Sequence, residues 1–310
     1  MLTEQGYIKA KSVEEAFVNA NNHLDGFRYV AGGTDVIVNK FQGNEDAQIL
    51  IDISGIEELK HIKIKEDYIE IGALTKLDDL KKHNIISDRF PSLIEAAEAV
   101  ASPVIRKTAT IGGNILCENR CTFYNQSEWW RSAAGYCLKC NGDICIATGG
   151  KNNCLSKFVS DTAIVLISID AKIEVSDHQQ TSIIPIESIY SGDGVNSRNL
   201  SKTALLKSIL ISNTEEYQTI YKKLRQRETI DFGSLMTAVS LNNEKVKIVL
   251  GGVDPKPIVV EGNIEDDLNE LILQATKKAR TVDNDVYSRK YRKEMIAVFL
   301  KRSLQELKLM

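Results

Sequence analysis

All six cysteines of this 310-residue chain, Cys117, Cys121, Cys137, Cys140, Cys145 and Cys154, lie inside one 38-residue window. A segment so loaded with thiols must either be stapled by disulfides or organise itself around something the thiols bind. The first residues show no basic start followed by an apolar core, so no signal peptide is expected. Thiols in a reducing compartment point to metal rather than to disulfides. Two metal readings compete. Cys117-x3-Cys121-x15-Cys137-x2-Cys140 is one residue longer in its first pair than a zinc ribbon. Four more widely spaced thiolates would instead suit an iron–sulfur cluster. The four histidines (His23, His61, His83, His178) all fall outside the window, so no neighbouring imidazole favours zinc. Composition leaves both readings open.

The window is also rich in Asn, Gly and aromatic residues, including both tryptophans, Trp129 and Trp130, and has no sustained period. A long irregular stretch of that kind inside a globular chain is usually functional. On either side the pattern is regular. Ser12 and Glu15 form a capping box ahead of Ala16, Phe17 and Ala20. Residues 27–31, 49–53 and 68–72 read as strands, with a short helix or turn at 35–40 and helices opening at Thr75 and Ser92. After the window, 163–169 and 171–175 read as strands, then 244–250 as a half-buried strand. Residues 288–307 read as a basic amphipathic helix with Met295, Val298, Phe299 and Leu300 on one side, packed on its own domain. Strands alternating with helices imply α/β subdomains. With 43% apolar and 26% charged residues, the chain is neither disordered nor fibrous. A net charge of −3 argues against a nucleic-acid partner, and no apolar run approaches a membrane span. A soluble, cytoplasmic protein is expected.

Two glycine pairs stand between regular segments. In Ala31-Gly32-Gly33-Thr34-Asp35 and Thr110-Ile111-Gly112-Gly113-Asn114 the missing Cβ atoms let backbone N–H groups approach an anion. Neither matches the dinucleotide fingerprint or the P-loop. Each alone is an ordinary turn; together they could clamp the two sides of one pyrophosphate.

With these residues in view, the chain resembles the FAD-binding medium subunits of the molybdenum hydroxylase, or xanthine dehydrogenase, family along nearly its whole length. The two glycine loops resemble that family's pyrophosphate loops. Residues 221–227 with Asp231-Phe232, then Gly251-Gly252-Val253 and 287–292, resemble its C-terminal domain. Most medium subunits lack the cysteine segment. Here 121–132 and 135–139 resemble the β subunits of 4-hydroxybenzoyl-CoA reductases, in which the insertion binds an extra [4Fe–4S] cluster.

The resemblance implies an α+β fold of the PCMH-like FAD-binding type. It would comprise α/β subdomains at 1–55 and 56–213, an iron–sulfur insertion at 115–156, and a C-terminal domain at 214–310 with an antiparallel sheet and helices. FAD contacts would come from Val30, Ala31, Gly32, Gly33, Thr34, Asp35, Val100, Thr110, Gly112, Gly113, Asn114, Asp161 and Lys223. Cys121, Cys137, Cys145 and Cys154 would hold the cluster, leaving Cys117 and Cys140 outside it. No catalytic residue is expected in this chain. The implied role is electron relay from ferredoxin to a small [2Fe–2S] subunit and a large molybdenum-cofactor subunit, in a dimer of heterotrimers that reductively removes a phenolic hydroxyl. The alternatives are the medium subunit of another molybdenum hydroxylase, or a non-catalytic zinc- or flavin-binding protein.

Overall fold

The computed structural model describes residues 6–178 and 180–310. Residues 1–5, part of the stretch read above for a signal peptide, lie outside the described residues. The first unit is a parallel sheet in the order β1 (Gly6–Lys9), β3 (Ile49–Asp52), β2 (Phe27–Val30). Helix α1 (Val13–Asn22) starts where the capping box places it. The Ser12 hydroxyl accepts from the Glu15 N–H at 3.1 Å, and Glu15 accepts from the Lys11 N–H at 2.8 Å. Its Ala16, Phe17 and Ala20 bury against Ile51 and reach Leu74 and Leu205 of the next unit. The loop after β2 leads into the short helix α2 (Val36–Phe41), so the first glycine pair emerges at the carboxyl end of the sheet. In open parallel sheets that is where ligands bind.

The second unit is an antiparallel five-stranded sheet ordered β4 (Ile62–Ile64), β5 (Tyr68–Gly72), β8 (Leu205–Ser212), β6 (Lys172–Ser176), β7 (Thr181–Pro185). Helices α3 (Asn84–Arg89), α4 (Pro91–Glu98), α5 (Pro103–Arg106) and α6 (Ile111–Ile115) precede the cysteine segment, which carries α7 (Glu128–Ala134). The segment after Thr75 is a 3-10 turn, Leu77–Lys82, not a capped α-helix. Ser92 is likewise no cap: α4 begins one residue earlier at Pro91, and the buried Ser92 hydroxyl donates to the Thr219 carbonyl across the unit boundary.

The larger departure is α8 (Asp161–Ser168), a helix where the sequence suggests a strand at 163–169. An unbroken apolar run fits a buried helix as well as a buried strand. All eight residues of α8 are buried, between α4 on one side and the C-terminal sheet on the other. Ser160 caps it by accepting from the Ala163 N–H at 3.1 Å, with Asp161 in the first turn.

The third unit is the antiparallel sheet β12 (Ile258–Asn263), β11 (Lys245–Gly251), β10 (Leu235–Asn242), β9 (Gln218–Leu224), with α9 (Leu268–Lys278) and α10 (Arg289–Glu306) on one face. Helix α10 is capped by Ser288 and packs Ile296, Phe299, Leu300 and Leu304 into that unit's core. Among the described residues no helix is long and apolar enough to cross a membrane. The other face of the sheet meets α8, where Ile164 shares a core with Met236, Ala238 and Val249.

The cysteine segment is closed at its neck by a two-way backbone pair between Arg120 and Lys157, at 2.9 and 2.8 Å. Inside, Arg131 of α7 anchors the segment. Its buried guanidinium donates to the carbonyls of Gln126, Gln42 and Gly43 and so fastens the segment to the first unit. Because α8 joins two cores, Ile164→Ala should destabilise the protein by roughly 2–5 kcal/mol. Chemical denaturation should show one cooperative transition at lower denaturant.

Candidate cofactor sites

A cavity of about 1100 Å³ opens where the three units meet. Of the thirteen residues expected to contact a flavin nucleotide, all but Val30 line it. Val30 is buried beneath the loop, at the end of β2. Gly33 sits at φ 69°, the left-handed region that glycine enters without cost. Gly32 lies so close to the second loop that a Cβ would stand 2.1 Å from the Thr108 carbonyl oxygen. Gly112 is pressed on Ala73 in the same way, whereas a Cβ on Gly113 would meet only the Thr110 hydroxyl, at 3.0 Å. Among the described residues the amides of Gly32, Gly33 and Thr34 have no hydrogen-bond partner.

Two of the expected contacts are also braces. Asp35 accepts the Glu118 N–H at 3.0 Å and pairs with Arg120. Asn114 accepts from Ser160, from the Thr162 hydroxyl and from the Thr162 N–H, which ties the second loop to the start of α8. Asp161 and Lys223 form a buried ion pair at 2.8 Å. The Tyr221 hydroxyl donates to Asp161 at 2.5 Å, and Lys223 donates to the Ala99 carbonyl beside Val100. Burial, then the Asp161 charge, pushes the Tyr221 phenol well above its ordinary range, so it stays a donor.

Behind this cavity lies a second, small and apolar, lined by Cys121, Cys137, Cys145 and Cys154. Cys117 faces the large cavity instead, and Cys140 lines neither. Cys121 lines both. Among the described residues no three or more histidines, cysteines or carboxylates are arranged to hold a metal ion. Neither the four zinc-ribbon positions nor the four wider-spaced cysteines form such a group, although the latter four line one small cavity.

Residues 3–213 match the family described as the FAD binding domain in molybdopterin dehydrogenase. The chain belongs to that family. It is a medium, FAD-binding, oxidoreductase subunit of the molybdenum hydroxylase type. It is 23% identical over 318 residues to the glyceraldehyde dehydrogenase medium chain of Sulfolobus acidocaldarius, covering 98% of each. It is 27% identical over 268 residues to the aldehyde oxidoreductase FAD-binding subunit of Escherichia coli strain K12, covering 82% of this chain and 83% of the other. Its fold superposes on CO dehydrogenase from Oligotropha carboxidovorans with a TM-score of 0.76, at 19% identity over 97% and 96% of the two chains.

The matched family binds FAD, and the large cavity is where the residues expected to contact it gather. The loop holding Gly32 and Gly33 and the first turn of α6, which holds Gly112 and Gly113, both line it, and the free amides of the loop suit an anionic pyrophosphate. The small cavity offers four thiols, the donor type of an iron–sulfur cluster, and the described residues do not draw them into a metal-holding group. Burial pushes the Cys121 thiol up to about 11 and raises Cys154 as well. The hydrogen bond between the Cys137 and Cys140 thiols draws Cys137 down and pushes Cys140 up. Thiols in so apolar a space ionise readily only against a bound cation. Cys117, raised to about 12 by burial, lies outside that group.

Several functional neighbours were not visible in the sequence: Arg120, Glu118, Arg198 and the buried Lys157–Asp285 pair all line the large cavity. Glu118 and Arg120 stand out only as charges within the thiol-rich stretch, and Lys157, Arg198 and Asp285, outside it, carry no sequence signal. The glycines separate the test of the flavin site. Gly113→Val adds bulk toward the cavity with little to strike, whereas Gly32→Val collides with backbone. Gly113→Val should leave the fold intact and lower bound FAD at least tenfold, read by absorbance after denaturation. Full occupancy would remove the second loop from the site.

Proposed function

We propose that this chain is the electron-relay subunit of a molybdenum enzyme of the 4-hydroxybenzoyl-CoA reductase type. FAD would sit in the large cavity and a [4Fe–4S] cluster among Cys121, Cys137, Cys145 and Cys154. The observation that carries the reading is the shared wall: four cysteines from 34 residues of irregular chain line one cavity, and Cys121 also lines the flavin cavity. When bound, the two cofactors supply one- and two-electron chemistry, here assigned to passing electrons from a ferredoxin donor toward a small [2Fe–2S] subunit and a large molybdenum-cofactor subunit that removes a phenolic hydroxyl.

The chain's own residues do the rest. The amides of Gly32, Gly33 and Thr34 donate to the pyrophosphate, with Thr110, Gly112 and Gly113 forming the opposite wall. Lys223 is held by Asp161 and Ala99, so its charge is fixed beside Val100. The apolar lining of the cysteine cavity keeps water from the thiolates. We read the three sheets as three structural units, divided near 55 and 213, with the insertion at 115–156 serving the cluster alone. The partners would be the two other subunits in a dimer of heterotrimers.

A second reading follows from the relatives, which are named as dehydrogenases of glyceraldehyde and xanthine among others. In it the same cofactors carry electrons outward from an oxidising molybdenum subunit. The native complex decides between them. With reduced ferredoxin it should dehydroxylate 4-hydroxybenzoyl-CoA, and the isolated chain should not.

The ligand set has its own test. Cys117→Ser and Cys140→Ser should keep about four irons per chain. Cys145→Ser and Cys154→Ser should lose the cluster and loosen the segment around it, because cluster binding supplies folding energy there. Iron, sulfide and zinc analysis of protein purified without oxygen reads the outcome. Zinc lost with Cys117 or Cys140 would overturn the cluster.

A further inference from the structure

One ion pair crosses the wall between the two cavities. Glu118 lines the large cavity, Lys139 lines the cysteine cavity, and they meet at 3.2 Å. Lys139 is the one charged side chain among those lining the cysteine cavity, and its side chain is only 5% exposed. It is held on three sides: Glu118, the Gly194 carbonyl at 2.7 Å, and the face of the Tyr124 ring at 5.0 Å. A lysine usually turns its ammonium toward water. This one is fastened beside the cysteine cavity, close enough that its charge draws the Cys154 thiol down against the burial that raises it. Glu118 in turn is shared with Arg28 at 2.9 Å and Arg198 at 3.0 Å, so one carboxylate anchors three cations.

We infer that Lys139 sets the reduction potential of the cluster upward and that Glu118 is the positioning residue that holds it there. The inference rests on the cluster reading above. A fixed cation favours the state with one more electron, and in a dry site its field is weakly screened. Iron–sulfur potentials respond to such local charge. Glu118 both orients Lys139 and offsets part of its charge, so the two residues pull the potential in opposite directions. A pair that only stabilised the loop would not produce opposite signs.

The test is a redox titration of the cluster, followed by electron paramagnetic resonance, on the anaerobically purified protein and on Lys139→Met, Lys139→Arg and Glu118→Gln. Iron and sulfide are counted first. Lys139→Met should lower the equilibrium constant for cluster reduction about tenfold, a shift of some 59 mV to more negative values for one electron. Glu118→Gln should move the potential positive, and Lys139→Arg should stay within a factor of two of the parent. If Lys139→Met fails to retain its cluster, the positive shift in Glu118→Gln still decides. Iron-replete variants whose potentials do not move, or move in the same direction, overturn the inference. A parent protein free of iron and sulfide fails at the first count, which sinks the cluster itself and is distinguishable from an unmoved potential.

Discussion

The arrangement depends on the buried guanidinium of Arg120. It pairs with Asp35 from the first unit, stacks 4.5 Å from the Phe232 ring of the third, and stands at the neck of the cysteine segment, where its backbone pairs with Lys157. Three separate stretches of chain are thus fixed to one planar cation at the edge of the large cavity. Burial draws its pKa down to about 10, which still leaves it charged at neutral pH. The next residue is Cys121, so the contact at the edge of the large cavity also sets the first cysteine of the neighbouring one. Removing one partner of a buried pair leaves a charge stranded, a loss of about 3–5 kcal/mol.

Buried charge recurs around both cavities, always compensated. Burial would raise the Asp285 carboxyl, but the Lys157 ammonium and the Ser234 hydroxyl outweigh it and hold the group below its usual range. Asp161 has Lys223 and Tyr221; Glu118 has three cations. The Glu118 cluster and the Lys157–Asp285 pair fix walls outside the regular elements, whereas the Asp161–Lys223 pair ties α8 to β9. They also leave the cavity surfaces with oriented donors, which is what anionic nucleotide groups require. The regular elements behave differently: α8 and the two antiparallel sheets supply a rigid, apolar frame, and the irregular segments between them carry the polar contacts.

Much of this could be read from residues alone. The capping box at Ser12 and Glu15, the strand ending at the first glycine pair, and the alternating strand read at 244–250 and found at Lys245–Gly251 are local patterns with local causes. The reading failed at α8, because a short apolar run has no period to distinguish a buried helix from a strand; Ser160 and Asp161 were the overlooked start signal. It failed again at Ser92, where a capping pattern is spent on a contact to Thr219. For the cysteines, spacing leaves the zinc-ribbon set and the wider-spaced set both open. In the structure Cys140, in a tight 3-10 turn ending at the left-handed Asn141, meets the Cys137 thiol but does not line the small cavity. Which four thiols converge depends on the path of the whole segment, set by Arg131 and the Arg120–Lys157 neck, and no local pattern encodes that path. Glu118 and Lys139 were invisible for the same reason: their meaning lies in what they meet.

The central claim is that two redox sites share a wall at Cys121. Diffraction from crystals of the anaerobically purified protein, collected on either side of the iron absorption edge, addresses it directly. The expected anomalous map has one compact iron feature enclosed by the sulfurs of Cys121, Cys137, Cys145 and Cys154, with flavin density in the adjoining large cavity. Flavin density with no iron feature, or a zinc feature at Cys117 and Cys140, would contradict the account.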